Sequence, residues 1–336
     1  MKPYPALVVS LDFELHWGLF DFVKGPDHPY WNNLLGARRA VEELLEILKR
    51  YEIHATWATV GFLFARDRKE FCHFLPSAKP DYELCKLNPY TMAIGEDEAD
   101  DPMHFAASLV ERIRDTPGQE LASHTFSHYY CLERGQTKES FREDLSSAQA
   151  IAGNYGVKLR SVVFPRNQVN PAYLEILPEL GFEAYRGNPR CFLYDPEANK
   201  WFGSPPIRLL RLADAYFNLT GHHTVTWSEL ADSYPINIKA SRFLRACSPE
   251  LRILDRLRRR RVIEGIRYAA ERKEVFHLWW HPHNFGSNLR HNVSGLEEIL
   301  EEFDGFRRAY GMQSLNMSEV ANEVSRIRRK MREDNR

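Results

Sequence analysis

Along the chain, short apolar or β-branched runs alternate with longer stretches in which apolar residues recur every third or fourth position. The short runs are ALVVSLDF at 6–13, HATWAT at 54–59, ELASH at 120–124, LRSVVF at 159–164, EAYR at 183–186, PINI at 235–238 and VFHLWW at 275–280. Their length and β-branched or aromatic content predict strands. Between them, 37–51 places Val41, Leu44, Leu45 and Leu48 on one helical face, and 138–155, 171–180, 251–272 and 296–310 also read as helices. Such alternation is the mark of βα units around a parallel sheet. Seven strands in this order predict an α/β fold, a deformed (β/α) barrel in preference to an open sheet.

One stretch breaks the rhythm. Residues 66–118 carry several prolines and the acidic loop GEDEADD at 95–101, which predicts an insertion placed to wall a cleft. The rest reads as a single domain over 1–322, followed by a charged tail at 323–336 that is expected to fray. With 336 residues, 43% of them hydrophobic, the chain can bury one substantial core. A formal charge of −1 supplies no global field to draw the protein onto nucleic acid or an anionic membrane, so nucleic-acid binding is not expected. No run approaches the roughly 20 apolar residues that a membrane span needs. Five cysteines, Cys72, Cys85, Cys131, Cys191 and Cys247, are odd in number and never in a CxxC pair. They predict free thiols in a reducing compartment, and with a short first apolar run they point to a cytoplasmic protein.

Candidate chemistry gathers at predicted strand ends. Asp12 and Glu14 sit two apart at the end of the first strand, on the same side of the pleat, while Val9, Leu11, Phe13 and Leu15 form the apolar phase. Two carboxylates on the interior phase need a cation, a proton or arginine partners. In SHTFSH, His124 and His128 are four positions apart, which one helical turn would place on one face. Two imidazoles and a carboxylate are the protein ligands of a catalytic divalent metal, most often zinc. His281 and His283 follow the last strand, and a histidine there can protonate a leaving amine. FPRNQ, again at a strand end, offers Arg166 as a carboxylate fork, with Asn167 and Gln168 able to bond hydroxyls or amides.

Taken in order, SLDFE, SHTFSH, FPRNQ and LWWHPH resemble the motif series of the NodB-homology polysaccharide deacetylases, carbohydrate esterase family four. The resemblance implies Asp12 as base, Glu14, His124 and His128 as ligands of one divalent metal, His281 as acid and Arg166 as the group that orients Asp12. Three departures stand out. The usual adjacent aspartates are here an acidic pair split by Phe13, the arginine motif reads FPRNQ, and the aspartate–tryptophan motif has only Asp214 as a stand-in. The implied reaction is metal-assisted hydrolysis of an N-acetylated carbohydrate. Its substrate side is expected to include His16, Trp17, Asn167, Gln168, Trp280 and His283, since aromatic faces stack on pyranose rings.

Other readings remain open on the sequence. Allantoinase-like and cyclic-imide hydrolases share this scaffold, and a catalytically silent carbohydrate-binding protein would keep the fold without the reaction. The basic run Arg258–Arg261 reads as a solvated helix face, or else as an attractor for a nucleotide-linked or lipid-linked sugar. A cytoplasmic deacetylase would act on a precursor in glycan, O-antigen or capsule synthesis.

Overall fold

The computed structural model describes residues 3–195, 201 and 203–334. Among the described residues nine strands form one parallel sheet: β1 (Ala6–Phe13), β2 (Ala55–Thr59), β3 (Gln119–Ser123), β4 (Ser161–Val163), β5 (Ala184–Arg186), β6 (Ile236–Asn237), β7 (Arg242–Phe243), β8 (Val275–Trp280) and β9 (Gln313–Leu315). Their order is β6-β5-β4-β3-β2-β1-β8-β7, with β9 paired to the first three residues of β1. The segment 236–244 closes the ring. Ile236, Ile238 and Ala240 donate to Glu183, Tyr185 and Gly187 on the β5 side, whereas Ser241 and Leu244 donate to His277 and Trp279 of β8. All seven expected strands are present in a deformed barrel; β7 and β9, three residues or shorter, are additions.

The alternating phases of β1 divide the core. Leu7, Val9, Leu11 and Phe13 face outward into a shell shared with Val41, Leu44 and Leu48 of the helix Ala37–Arg50 and Ile299 and Phe303 of the helix Leu289–Tyr310. Ala6 and Val8 face inward and join Leu315, Met317 and Val320 in an apolar plug at the barrel's lower end. Each fully buried valine, leucine, isoleucine, phenylalanine or methionine among these contributes about 1.5–3 kcal/mol. Above the plug the inward positions turn polar, Ser10 and then Asp12, both buried. The barrel is therefore sealed below and chemically open above, at the C-terminal strand ends where barrels carry function.

Within 66–118, Phe71, Tyr82, Leu87 and Phe105 are buried, and the helix Ala107–Asp115 leads into β3. The Tyr82 hydroxyl accepts a hydrogen bond from the Tyr130 N–H at 2.8 Å, so this stretch braces the loop that follows β3. At the other end, 323–334 is helical. It continues the helix Met317–Asp334, with Arg328 capping the carbonyls of Ala231 and Ser233. The basic run also differs from both expectations. Arg258 and Arg261 are buried, the first against Asp255 and the second against the Gly221 carbonyl, while Arg259 and Arg260 pair with Glu298 and Glu264. Packing explains it, since that helix lies between β8 and the helix Leu289–Tyr310. All five cysteines are free. No helix among the described residues is long and apolar enough to cross a membrane.

Candidate active site

Asp12, next to last in β1, points into the barrel mouth, where Arg186 reaches it from β5. The guanidinium makes a two-pronged contact, Nη1 to Oδ1 at 2.6 Å and Nη2 to Oδ2 at 2.7 Å, and its Nη1 also donates to Ser10 at 3.0 Å. Below it, His277 Nδ1 donates to the Ile238 carbonyl, which leaves Nε2 to accept from the Ser10 hydroxyl at 2.8 Å. Burial and the adjacent Arg186 hold His277 down to about 3, so this floor carries a neutral imidazole. Burial pushes the Asp12 carboxyl up, but Arg186, His124 and His281 outweigh it and hold the group below the ordinary carboxylate value.

Glu14 follows β1 at a turn that Leu15 completes with φ 45°, a left-handed conformation. Gly18 makes room for it: a Cβ there would lie 2.0 Å from the Glu14 carboxyl carbon. Two imidazoles meet its Oε2, His128 Nε2 at 3.0 Å and His124 Nε2 at 3.3 Å. These histidines do not share a helical turn. Thr125 and His128 have φ of 62° and 58°, and the loop is tied by Asp144, which accepts from the N–H of Phe126 at 2.6 Å and of Ser127 at 3.1 Å. The rings still converge, with centroids 5.1 Å apart.

Donor and acceptor counting tests whether a cation fits. His124 Nδ1 lies 2.8 Å from the Val163 carbonyl, so it carries the proton, and its bare Nε2 faces a carboxylate oxygen with no hydrogen-bond partner. His128 Nδ1 is likewise buried without a partner. The bare His124 Nε2 and the Glu14 oxygen that it faces at 3.3 Å are two acceptors meeting in a buried site, which calls for a positive charge. Glu14, His124 and His128 bring one ligand atom each within 4.8 Å of one another, a set suited to a divalent metal with an open position. The Val163 carbonyl is the outer group that fixes the His124 tautomer.

A second grouping, Glu14 with His281 and His283, is equally compact. Its hydrogen bonds give it another character. Asn284 Nδ2 donates to the Tyr30 hydroxyl at 2.6 Å, and that hydroxyl meets His283 Nδ1 at 2.8 Å. Tyr30 therefore donates to Nδ1, and His283 Nε2 carries the proton that it gives to Glu14 Oε1 at 3.0 Å. His283 braces Glu14. His281 stands beside both carboxylates, 3.6 Å from Asp12 Oδ2 and 3.7 Å from Glu14 Oε1, and burial lowers it to about 4 despite their charge.

The remaining expected residues divide. Asn167 lines the cavity of about 710 Å³ above Asp12 and Glu14, together with Tyr30, Trp279, His281 and His283, and accepts from Arg186 at 3.2 Å. Arg166 reaches the same cavity but not Asp12. Its guanidinium pairs with Asp21 at 2.6 Å and lies over the Tyr130 ring, so the orienting fork is Arg186. Trp17 is wholly buried, donating to the His104 carbonyl, and His16 is bonded between His104 and the Val23 carbonyl. Gln168 is spent on Leu132 and Glu133. Trp280 packs outward in the core; Trp279, one position earlier and in phase with His281, is the aromatic at the cavity. Asp214 is a buried partner of Arg242, outside this cavity.

Comparison with known proteins agrees with the fold and with part of the chain. Residues 27–185 match the family model described as polysaccharide deacetylase. That span contains His124, His128 and the arginine motif, and it excludes Asp12, Glu14, Arg186 and His281, which the barrel brings alongside. No curated protein matches the chain. Among solved structures, the chain is similar to a putative polysaccharide deacetylase from Mycobacterium smegmatis, with a TM-score of 0.59, 15% identity and coverage of 98% of this chain and 93% of that one. It is also similar to a probable polysaccharide deacetylase from Pseudomonas aeruginosa PAO1, with a TM-score of 0.53, 12% identity and coverage of 97% and 95%. A 4-alpha-glucanotransferase from Thermococcus litoralis follows, at a TM-score of 0.50, 12% identity and coverage of 96% and 40%. At such identities these likenesses show the fold, and the reaction has to be argued from the site.

Proposed function

We propose, from the match of residues 27–185 to the family model described as polysaccharide deacetylase, that the chain belongs to that family and is a metal-dependent hydrolase that removes the N-acetyl group of a carbohydrate. One observation carries the reading: the bare His124 Nε2 faces Glu14 at 3.3 Å, beside an Asp12 held ionised by a two-pronged arginine. Glu14, His124 and His128 are the ligands, and zinc is the metal we assign to a set of two imidazoles and one carboxylate. Such an ion, when bound, polarises the acetamide carbonyl and acidifies water.

The protein's own groups do the rest. Asp12, fixed by Arg186, accepts the proton of the attacking water, and Glu14 keeps its position through the Tyr30–His283 relay. His281 protonates the departing nitrogen. Because burial keeps that imidazole neutral near pH 7, its proton arrives during the cycle, and the 3.6 Å separation from Asp12 supplies the path. One proton thus leaves water and ends on the amine, with acetate as the other product. Five free thiols suit a cytoplasmic enzyme, and in that compartment the substrate is a precursor in glycan, O-antigen or capsule synthesis.

Metal content of the purified protein and of His124→Ala and His128→Ala, read by elemental analysis after mild chelation and zinc reconstitution, tests the proposal together with acetate release from N-acetylated sugars. One zinc per chain in the wild type, lost in both variants along with acetate release, is expected. Stoichiometry indifferent to both substitutions would overturn the ligand assignment.

A further inference from the structure

Asn167 lies in the turn after β4, and its backbone is unusual. Arg166 and Asn167 take φ of 53° and 56° in succession, a left-handed pair that asparagine tolerates and arginine disfavours. The turn is tied on both sides. The Asn167 N–H donates to the Phe164 carbonyl at 3.0 Å, and the Asn167 carbonyl accepts from the Val169 N–H and from Asn188 Nδ2, each at 3.0 Å. Strained turns held this firmly collect at functional sites. Here Arg166 turns aside to Asp21, while the Asn167 side chain lines the cavity with Asp12, Glu14 and His281. The amide has a fixed sense. Its Oδ1 accepts from Arg186 Nη2 at 3.2 Å, and the flipped amide would set two donors against each other. Nδ2 is therefore the atom left over, and among the described residues nothing accepts from it. The same Arg186 Nη2 donates to Asp12 Oδ2 at 2.7 Å, and that oxygen is the one 3.6 Å from His281 Nε2. One guanidinium nitrogen joins the free amide donor to the base, at the point where base and acid meet.

We propose that Asn167 Nδ2 donates a hydrogen bond to the carbonyl oxygen of the scissile amide and stabilises it as an oxyanion. The inference rests on the deacetylase reading and gives that reaction a neutral donor beside its base. Attack by the water oxygen forms a carbon–oxygen bond, and the carbonyl π pair moves onto the amide oxygen. The Asn167 hydrogen stays on Nδ2 throughout. The pair returns to carbon as the carbon–nitrogen bond breaks and His281 delivers the proton to nitrogen. Two properties suit Asn167 to this task. An Oδ1 bonded to a guanidinium draws electron density through the amide and makes Nδ2–H a stronger donor. A backbone bonded at both of its peptide groups also sets the donor in advance, so that stabilising the oxyanion costs no reorganisation. The link through Arg186 to the proton-accepting oxygen of Asp12 favours the reacting amide over a ring hydroxyl as the partner. A hydroxyl would be held equally before and during attack and would contribute to KM alone.

The test uses the zinc-loaded full chain with Asn167→Gly and Asn167→Asp, both of which accept the left-handed turn. Glycine removes the donor and the acceptor of Arg186, whereas aspartate removes only the donor, so a loss common to both belongs to the donor. Steady-state kinetics on an N-acetylglucosamine oligosaccharide are read beside calorimetric binding of two probes. One is the methylphosphonamidate of the same sugar, whose tetrahedral phosphorus and anionic oxygen imitate the intermediate; the other is the free-amine product. We expect kcat to fall roughly 10²–10³-fold in both variants, the scale of one lost oxyanion donor. Aspartate should fall further because its charge opposes the oxyanion. KM, affinity for the amine and zinc content should stay those of the wild type, and affinity for the phosphonamidate should fall by the same factor as kcat. A raised KM with kcat retained, or phosphonamidate bound as tightly by both variants as by the wild type, would overturn the proposal and leave Asn167 as a ring-hydroxyl contact. Phosphonamidate binding that depends on Asn167 in a wild type releasing no acetate would instead support the donor and overturn the deacetylase reading.

Discussion

Two buried carboxylates, Glu14 and Asp214, answer the cost of burial in opposite ways. Asp214 is surrounded by fixed donors: Arg242 at 2.5 Å, the Tyr194 hydroxyl at 2.6 Å, Thr220 Oγ1 at 2.8 Å and the N–H groups of Leu219 and Thr220 at 3.0 Å. Its charge is balanced within the protein, and the cluster needs nothing from outside. Glu14 has only imidazoles around it. His128 and His283 can donate, but His124 presents a bare lone pair, and His128 Nδ1 and His281 Nδ1 have no hydrogen-bond partner. The first arrangement is complete and fits a structural role; the second is incomplete in the way a site awaiting a cation is incomplete. Burial alone does not separate a structural ion pair from a reaction centre, whereas donor counting does.

Substitutions at the two centres should break along this line. For Glu14→Gln the main loss is functional: acetate release falls on the order of 10⁴-fold, ~5 kcal/mol of transition-state stabilisation, because the metal and its polarising charge go together. Urea unfolding of the metal-free variant stays within about 1 kcal/mol of the metal-free wild type. An unfolding loss of several kcal/mol there would mean that Glu14 is structural after all. Arg242→Ala should do the reverse, costing about 3–5 kcal/mol in unfolding free energy by taking from the buried Asp214 its closest counter-charge and leaving only Arg261 at 3.8 Å. Zinc stoichiometry in whatever fraction folds should remain that of the wild type.

Much of this comparison was legible in the sequence, and the failures are instructive. Asp12, Glu14, His124, His128 and His281 converge as the strand-end reading required, because period-two alternation and barrel polarity are local rules. The loop of His124 and His128 is not helical, since Asp144, sixteen positions beyond His128, ties its N–H groups instead. Arg166 and Arg186 both end strands, and no spacing rule says which one meets Asp12. Ring closure decides it, by setting β5 across the lumen from β1 while Arg166 turns out to Asp21. Trp279 was recoverable from phase, since it alternates with His277 and His281, whereas Trp280 faces the outer shell. The helix Pro205–Asp214 was not among the predicted elements; it is ten residues long, and its Leu209 and Leu210 stay exposed instead of packing into the core.

Arg186→Lys sharpens the comparison from the side of Asp12. Lysine keeps the charge but cannot make the two-pronged contact that the 2.6 and 2.7 Å distances describe, nor hold Ser10 and Asn167 at once. We expect kcat to fall roughly 10–100-fold through misplacement of the base, in line with the ~1.5–3 kcal/mol of a hydrogen bond to a charged group, with KM little changed and zinc retained. If metal binding falls in parallel, Arg186 supports the whole site instead of Asp12 alone.

The smallest effect is a difference in pH slope between Asp214 and a third buried carboxylate, Asp144. Burial pushes Asp214 up, but Arg242, Tyr194 and Thr220 outweigh it and hold the group down at about 2. Between the ordinary carboxylate range and about 2, the unfolded chain binds a proton that the folded chain refuses, so the stabilisation by Asp214 is complete above that range and fades as pH falls through it. Asp144 has the opposite balance. Burial raises it to about 7 against its donors from Ser127 and Phe126, so the folded chain holds the proton first and stability falls as pH rises from the carboxylate range towards 7. Urea unfolding from pH 3 to 8 of the wild type, Asp214→Asn and Asp144→Asn reads both, because subtracting each variant's curve removes every other titrating group. The Asp214 difference should shrink at the acid end and the Asp144 difference at the neutral end. Two difference curves with the same sign of slope would show that the arginine cluster does not set the charge of Asp214, and the contrast with Glu14 would then lose its reference.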